Sequence, residues 1–171
     1  MAMFGYAHVP WFKPHQIMIK EYDLPEQNER FEQMQNASKL LTQSGYNSIG
    51  IDHFALPNDS LSVAQKEGVL RRNFQGYTTD RADVMLGFGA SSIGRSPSGF
   101  MQNTVATNLY QKRIADGMLA SDKGYKRQSI DLYYGALIER LMCDFHVDFA
   151  RLPFASDKTV TESIQIANKF A

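Results

Sequence analysis

Between Asp23 and Gly45 apolar residues recur at intervals of three and four. Phe31, Met34 and Leu41 share one face, with the small Ser38 among them. That period predicts an amphipathic helix. Asp23-Leu24-Pro25-Glu26 resembles a capping box at its start, Pro25 is tolerated in a first turn, and Gly45 supplies the stop. The pattern then changes to alternation over residues 46–54. Ile49, Ile51 and His53 fall on one side, and Ser48, Gly50 and Asp52 on the other, as in a strand. Residues 3–9 read as the end of another strand running into Pro10. Strand, helix and strand at this spacing form a βαβ unit, which implies parallel pairing through a right-handed crossover. The expectation is that residues 46–54 lie beside and parallel to the strand ending at Ala7, with Ala7 and His53 near the same end of the sheet.

Past a turn at residues 56–59, the pattern predicts a short helix over 60–67, stopped by Gly68. Residues 84–93 are rich in small side chains and read as extended. Helices are predicted over 104–116 and 126–143, the second with Ile130, Leu137, Ile138 and Leu141 on one side, and residues 158–171 are helix-like with Val160, Ile164 and Phe170 apolar. That last helix has no stop signal and the first strand has no lead-in, so both ends read as cut from a longer chain. The shift from alternating β and α patterns to mostly helix divides the chain into 1–103 and 104–171. The fold class expected is α/β.

Length and charge narrow the partners. The 171 residues suffice for one domain, or for one and the beginning of another. Eighteen basic and eighteen acidic residues cancel, so no global field favours nucleic acid or an anionic membrane. No apolar run approaches the ~20 residues needed to cross a bilayer, and the start lacks the features of a signal peptide. A cytoplasmic chain is expected. Cys143 is the single cysteine and follows Leu141 and Met142, a setting in which a thiol behaves as a small hydrophobe. The histidines and this cysteine have no metal-ligand spacing, so no metal site is expected.

Six segments carry a resemblance. They are Tyr6-Ala7-His8-Val9-Pro10, Leu41-Thr42-Gln43-Ser44-Gly45-Tyr46, Asp52-His53-Phe54-Ala55-Leu56-Pro57, Asn73 to Thr79 (preceded by Arg71 and Arg72), Leu86 to Ile93, and Glu139 to Phe145. In this order they resemble the oxygen-independent coproporphyrinogen III oxidases, a radical S-adenosylmethionine (SAM) family of haem biosynthesis. The resemblance runs from Phe4 to about Phe149. It implies the C-terminal portion of a partial (β/α) barrel followed by a mainly helical segment, and sites in such barrels gather at the C-terminal ends of strands.

The resemblance also implies chemistry: two propionates of coproporphyrinogen III become vinyl groups, with SAM and a [4Fe–4S] cluster as cofactors and a separate electron donor. Each conversion removes a β-hydrogen and an electron and releases carbon dioxide. Ala7, Phe74, Gln75 and Ile93 correspond to SAM-binding positions. Substrate propionates are anionic, so Arg71 and Arg72 are candidate anchors through paired hydrogen bonds, and His53 is a further candidate. Cluster ligation needs several thiolates, and the family's three cysteines fall upstream of anything present here. An N-terminal part of the enzyme is therefore an expected partner.

Blander readings stand beside these. His53 shares a face with Ile49 and Ile51 and can be a hydrogen-bonded core histidine, and the same applies to His8. Arg71 and Arg72 can be solvated surface. Gly87-Phe88-Gly89 imitates a dinucleotide fingerprint, but Ser92 stands where the third glycine belongs. Those glycines then serve close approach to a ligand or strand. A degenerate haem- or porphyrin-binding module without radical chemistry remains the alternative function.

Overall fold

The computed structural model describes residues 1–170. They form two compact units, one spanning Met1–Leu70 and one from Arg71 onward.

In the first unit, helix α1 (Gln27–Gln43) starts one turn later than the sequence suggests. Pro25 holds Leu24 extended (φ −90°, ψ 141°), as the residue before a proline must be. The capping box falls on Glu26 and Glu29: the Glu29 carboxylate accepts from the Glu26 N–H at 2.9 Å. Gly45, at φ +88°, ends the helix. Residues 46–54 are not one strand. They form a hairpin of β1 (Asn47–Ile49) and β2 (His53–Ala55), paired antiparallel with Ile49 opposite His53. Gly50, at φ +56°, turns the chain where alternation alone would have carried it straight on.

The expected parallel neighbour is also absent. Residues 3–9 form no strand, and it is Ala2 that bridges His53, antiparallel, while Met3 N–H donates to the Asp52 carbonyl at 2.8 Å. Helix α2 (Ser60–Lys66) is capped by Asp59, whose carboxylate accepts from Leu61 N–H. Ile49, Phe54, Ala55, Ala64 and Leu70 are the unit's buried apolar residues.

The second unit begins with a hairpin of β3 (Arg71–Asn73) and β4 (Gly76–Thr78), with Phe74 and Gln75 at its tip. A three-stranded antiparallel sheet follows, in the order β5 (Ile93–Ser96), β6 (Gly99–Asn103), β7 (Ser121–Lys126), and α3 (Thr107–Ala115) links β6 to β7. Thr104 does not start that helix, because its N–H donates to the Ala120 carbonyl beside the sheet. Of the stretch expected to be extended, 84–93, only Met85 and Ile93 take β pairing: Met85 as an isolated bridge to Arg95, Ile93 as the first residue of β5. The boundary expected at 103/104 falls inside this unit, where β7 pairs with β6.

Helix α4 (Ser129–Asp144) starts after β7 has ended, and α5 (Asp157–Ala167) follows. The C-terminal residue of the helix expected over 158–171 lies outside the described residues. Tyr133, Leu137 and Leu152 form the core here, with Val147 and Phe149 packed against them. The buried Tyr133 hydroxyl lies 3.2 Å from the Thr159 carbonyl and 3.0 Å from Ser163 Oγ, tying α4 to α5. Helices and strands are both present, as in the mixed α/β class expected, but strands follow one another in hairpins and every strand pairing among the described residues is antiparallel.

Candidate functional site

The β3–β4 hairpin is fixed to α4 by three hydrogen bonds. Glu139 accepts from Arg71 Nε at 2.6 Å and from the Arg72 backbone N–H at 3.1 Å. One turn on, the Met142 carbonyl accepts from the Tyr77 hydroxyl at 2.9 Å. Two of the motif segments read separately in the sequence are thus one braced structure. At the tip, Asn73 Oδ1 accepts from Gln75 N–H, which leaves the Phe74 ring and the Gln75 side chain exposed.

This brace borders a cavity of about 700 Å³ within the second unit. Four arginines line it (Arg71, Arg72, Arg95 and Arg127), against three carboxylates (Asp83, Asp131 and Glu139). The cations are not equivalent. Arg71 is paired with Glu139. Arg72 lies over the Tyr77 ring at 4.7 Å, and Arg127 over the Phe100 ring at 5.2 Å. Arg127 Nη2 donates to the Ser96 and Pro97 carbonyls at 2.8 and 3.0 Å, while Arg95 Nη2 donates to the Ala82 carbonyl. Arg72 Nη1 and Arg127 Nε are both buried without a hydrogen-bond partner. Among the described residues no carboxylate forms an ion pair with Arg72, Arg95 or Arg127. Phe74 meets Phe100 edge to face at 5.2 Å, giving the cavity an aromatic wall. Asp131 accepts from the Tyr125 hydroxyl at 3.0 Å, and that bond, reinforced by the carboxylate's charge, raises the tyrosine pKa.

Of the sequence candidates, Arg71, Arg72 and Phe74 line this cavity. Gln75 and Ile93 are not among its lining residues. Ile93 opens β5 opposite Gln102. The glycine-rich segment before it is held by Asn103, whose Nδ2 donates to the Gly87 and Gly89 carbonyls, both at 3.0 Å. A side chain at Gly87 would press on the Ile93 backbone, so close approach to a neighbouring strand is what this glycine permits.

Ala7 and His53 belong to the first unit. The Ala7 carbonyl accepts from Gln16 Nε2 at 3.1 Å. His53 Nδ1 lies 2.7 Å from Asp52 Oδ1, and its ring meets Phe4 edge-on. Both members of the pair are mostly buried. His8 Nδ1 lies 3.1 Å from the Tyr6 hydroxyl.

Sequence reasoning did not single out Arg95, Phe100 or Arg127. Arg127 is one basic residue between a strand and a helix cap, and nothing in its local pattern separates it from surface charge. Glu139 lay in a quoted motif, but its pairing with Arg71 spans 68 positions. Among the described residues no group of histidine, cysteine or acidic side chains could hold a metal ion, and no helix is long and apolar enough to cross a membrane. Cys143 is fully buried, and burial pushes its thiol up to about 11, the reverse of what a metal ligand needs.

No protein-family model matches the chain. Curated relatives do. The oxygen-independent coproporphyrinogen III oxidase of Cereibacter sphaeroides is 45% identical over all of this chain and 39% of its own length. The proteins of the same name from Bradyrhizobium diazoefficiens and Paracoccus denitrificans are 49% and 48% identical, over 86% of this chain and 33% of theirs. The solved coproporphyrinogen III oxidase of Escherichia coli, described as a radical SAM enzyme, superposes with a TM-score of 0.81 at 39% identity. That match covers 87% of this chain and 34% of the solved one. The chain therefore spans between a third and two fifths of the length of the relatives it matches, and over that length it is a homologue of the oxygen-independent coproporphyrinogen III oxidases.

Proposed function

We propose that this chain is part of a radical SAM enzyme that converts two propionates of coproporphyrinogen III to vinyl groups, giving protoporphyrinogen IX. The observation that carries the reading is near-half identity to oxidases of that name along 86–100% of the chain. An arginine-lined, aromatic-walled cavity bordered by two of the motif segments suits the substrate. Propionates are carboxylates on an apolar macrocycle, and guanidinium and aromatic groups match those two parts.

The cofactors divide unequally. A [4Fe–4S] cluster does not fit this chain, whose one thiol is buried and protonated at neutral pH. The cluster and its electron donor belong to other parts of the machinery. SAM fits in part. The exposed Phe74 ring offers a stacking face, Gln75 an amide and Ile93 an apolar wall. We assign these three residues of the second unit to SAM and the arginine-lined cavity to substrate; for Ala7 and His53 of the first unit, the roles rest on the family resemblance alone. When bound, SAM supplies the radical chemistry, and this chain's residues hold the nucleoside end and exclude water.

A chimera tests the reading. The corresponding third of the Escherichia coli enzyme is replaced by this chain, and anaerobic conversion of coproporphyrinogen III is measured. Protoporphyrinogen formation is expected. A folded chimera that keeps its cluster and cleaves SAM, yet leaves coproporphyrinogen intact, overturns the assignment.

A further inference from the structure

We propose that Arg72 and Arg127, rather than Arg71, hold the substrate's carboxylates in the second unit's cavity, with Phe100 against the adjoining ring. The identity of the ligand rests on the functional reading above; the choice of residues rests on the geometry.

The four cavity arginines differ in what already satisfies them. Arg71 is neutralised by Glu139 at 2.6 Å and braces the hairpin. A carboxylate arriving there would have to compete with a carboxylate already in place. Arg95 gives Nη2 to the Ala82 carbonyl and has no orphaned buried N–H. Arg72 and Arg127 are the two that retain one, and neither has a carboxylate partner among the described residues.

A buried donor on a charged group is expensive to leave unmade, and a guanidinium beside apolar surface without a counter-ion is costlier still. Such groups persist where an anion is to be bound. The stacking geometry agrees. Each guanidinium lies over a ring, Tyr77 for Arg72 and Phe100 for Arg127. Stacking occupies the planar face and leaves the N–H edge for a carboxylate. Phe100 adds an apolar surface, and the volume of about 700 Å³ lies within the range of small-molecule sites.

The test titrates this chain with coproporphyrin III, the stable aromatic form carrying four propionates, and with its tetramethyl ester, following porphyrin absorbance. The acid is expected to bind at least tenfold more tightly than the ester. Arg72→Met and Arg127→Met should each remove tenfold or more of that affinity. Arg71→Met combined with Glu139→Gln, which deletes the internal pair without leaving a lone charge, should change it less than threefold. A merely structural role is excluded by stability: Arg72→Met should leave the unfolding temperature unchanged or raise it. Arg127 also holds the turn between β5 and β6, so Arg127→Lys is the companion variant. It keeps the charge and loses the planar fork, and should weaken the acid at least threefold.

If the methionine variants bind coproporphyrin III like the parent, or the parent does not bind it, the site assignment is wrong, and the functional reading still stands or falls on the chimera. If binding is arginine-dependent and the chimera is inactive, the site survives and the oxidase reading does not.

Discussion

Helices α1 and α4 have nearly equal lengths, 17 and 16 residues, and both open on a capping box. They differ in what they cover. Tyr133, Leu137 and Cys143 of α4 are buried, whereas no residue of α1 is. On the predicted face of α1, Phe31 and Met34 remain exposed and Leu41 is only half-buried. A period of three and four residues therefore identifies a helix and the face that could be covered, but not whether a partner covers it. Within its unit α4 meets the β3–β4 hairpin, through Glu139 and the Met142 carbonyl, and α5, through Tyr133.

The comparison is broken most directly at Tyr133, which is fully buried and bonded to α5. Tyr133→Ala removes a large ring and strands polar partners on α5. Its cost should be about 3–5 kcal/mol in urea unfolding followed by circular dichroism. A loss under about 1 kcal/mol would mean that α4 is no better anchored than α1. Glu139→Gln should cost less. The Arg71 and Glu139 side chains are 32% and 19% exposed, so solvent screens the pair. The loss should be about 1 kcal/mol, nearer the surface-pair range than the several kcal/mol of a fully buried pair. A loss above 3 kcal/mol would show that the hairpin depends on this one contact.

How much of this was legible follows the same division between local and distant causes. Helices announce themselves through near-neighbour spacing, so α1, α2, α4 and α5 were predicted within a few residues. Their edges moved where a non-local bond competed, as at Thr104, whose N–H is taken by Ala120. The 46–54 segment misled because alternation is the same in a straight strand and in two arms of a hairpin, and Gly50 decides between them. Strand β7 was invisible: all six of its residues are exposed and its sequence, Ser121 to Lys126, is polar. It is defined only by pairing with β6. Among candidate site residues, Arg71, Arg72 and Phe74 could be named because they lie in one contiguous motif. Arg95, Phe100 and Arg127 reach the same cavity from other elements, and only the fold brings them there.

Cys143 supplies a pH test of α4's burial. Its thiol is raised to about 11 from an ordinary value of 9.0, chiefly by desolvation. Above pH 9 the unfolded chain loses this proton and the native chain keeps it, so the native state binds more protons. The contribution is complete below pH 9 and falls progressively between about 9 and 11. Cys143→Ala should flatten that part of the stability profile. Native Cys143 should also resist iodoacetamide at pH 8 and react once urea unfolds the chain. Rapid alkylation of the native protein would mean that this face of α4 opens easily.

The smallest expected effect lies on α1. Full burial of a phenylalanine contributes about 1.5–3 kcal/mol, but Phe31 is 60% exposed, so Phe31→Ala forfeits less than half of that. Alanine is the better helix former by roughly 0.5 kcal/mol, which offsets part of the loss in a helix that begins four residues earlier. The net change should therefore stay under about 0.7 kcal/mol, measured in the same urea titration as Tyr133→Ala. In the chimera the expectation reverses if the apolar face of α1 is covered there. Phe31→Ala would then lower the chimera's thermal midpoint by several degrees while leaving this chain's unchanged. Equal, small shifts in both would show that α1 remains a solvent-facing helix in the longer protein as well.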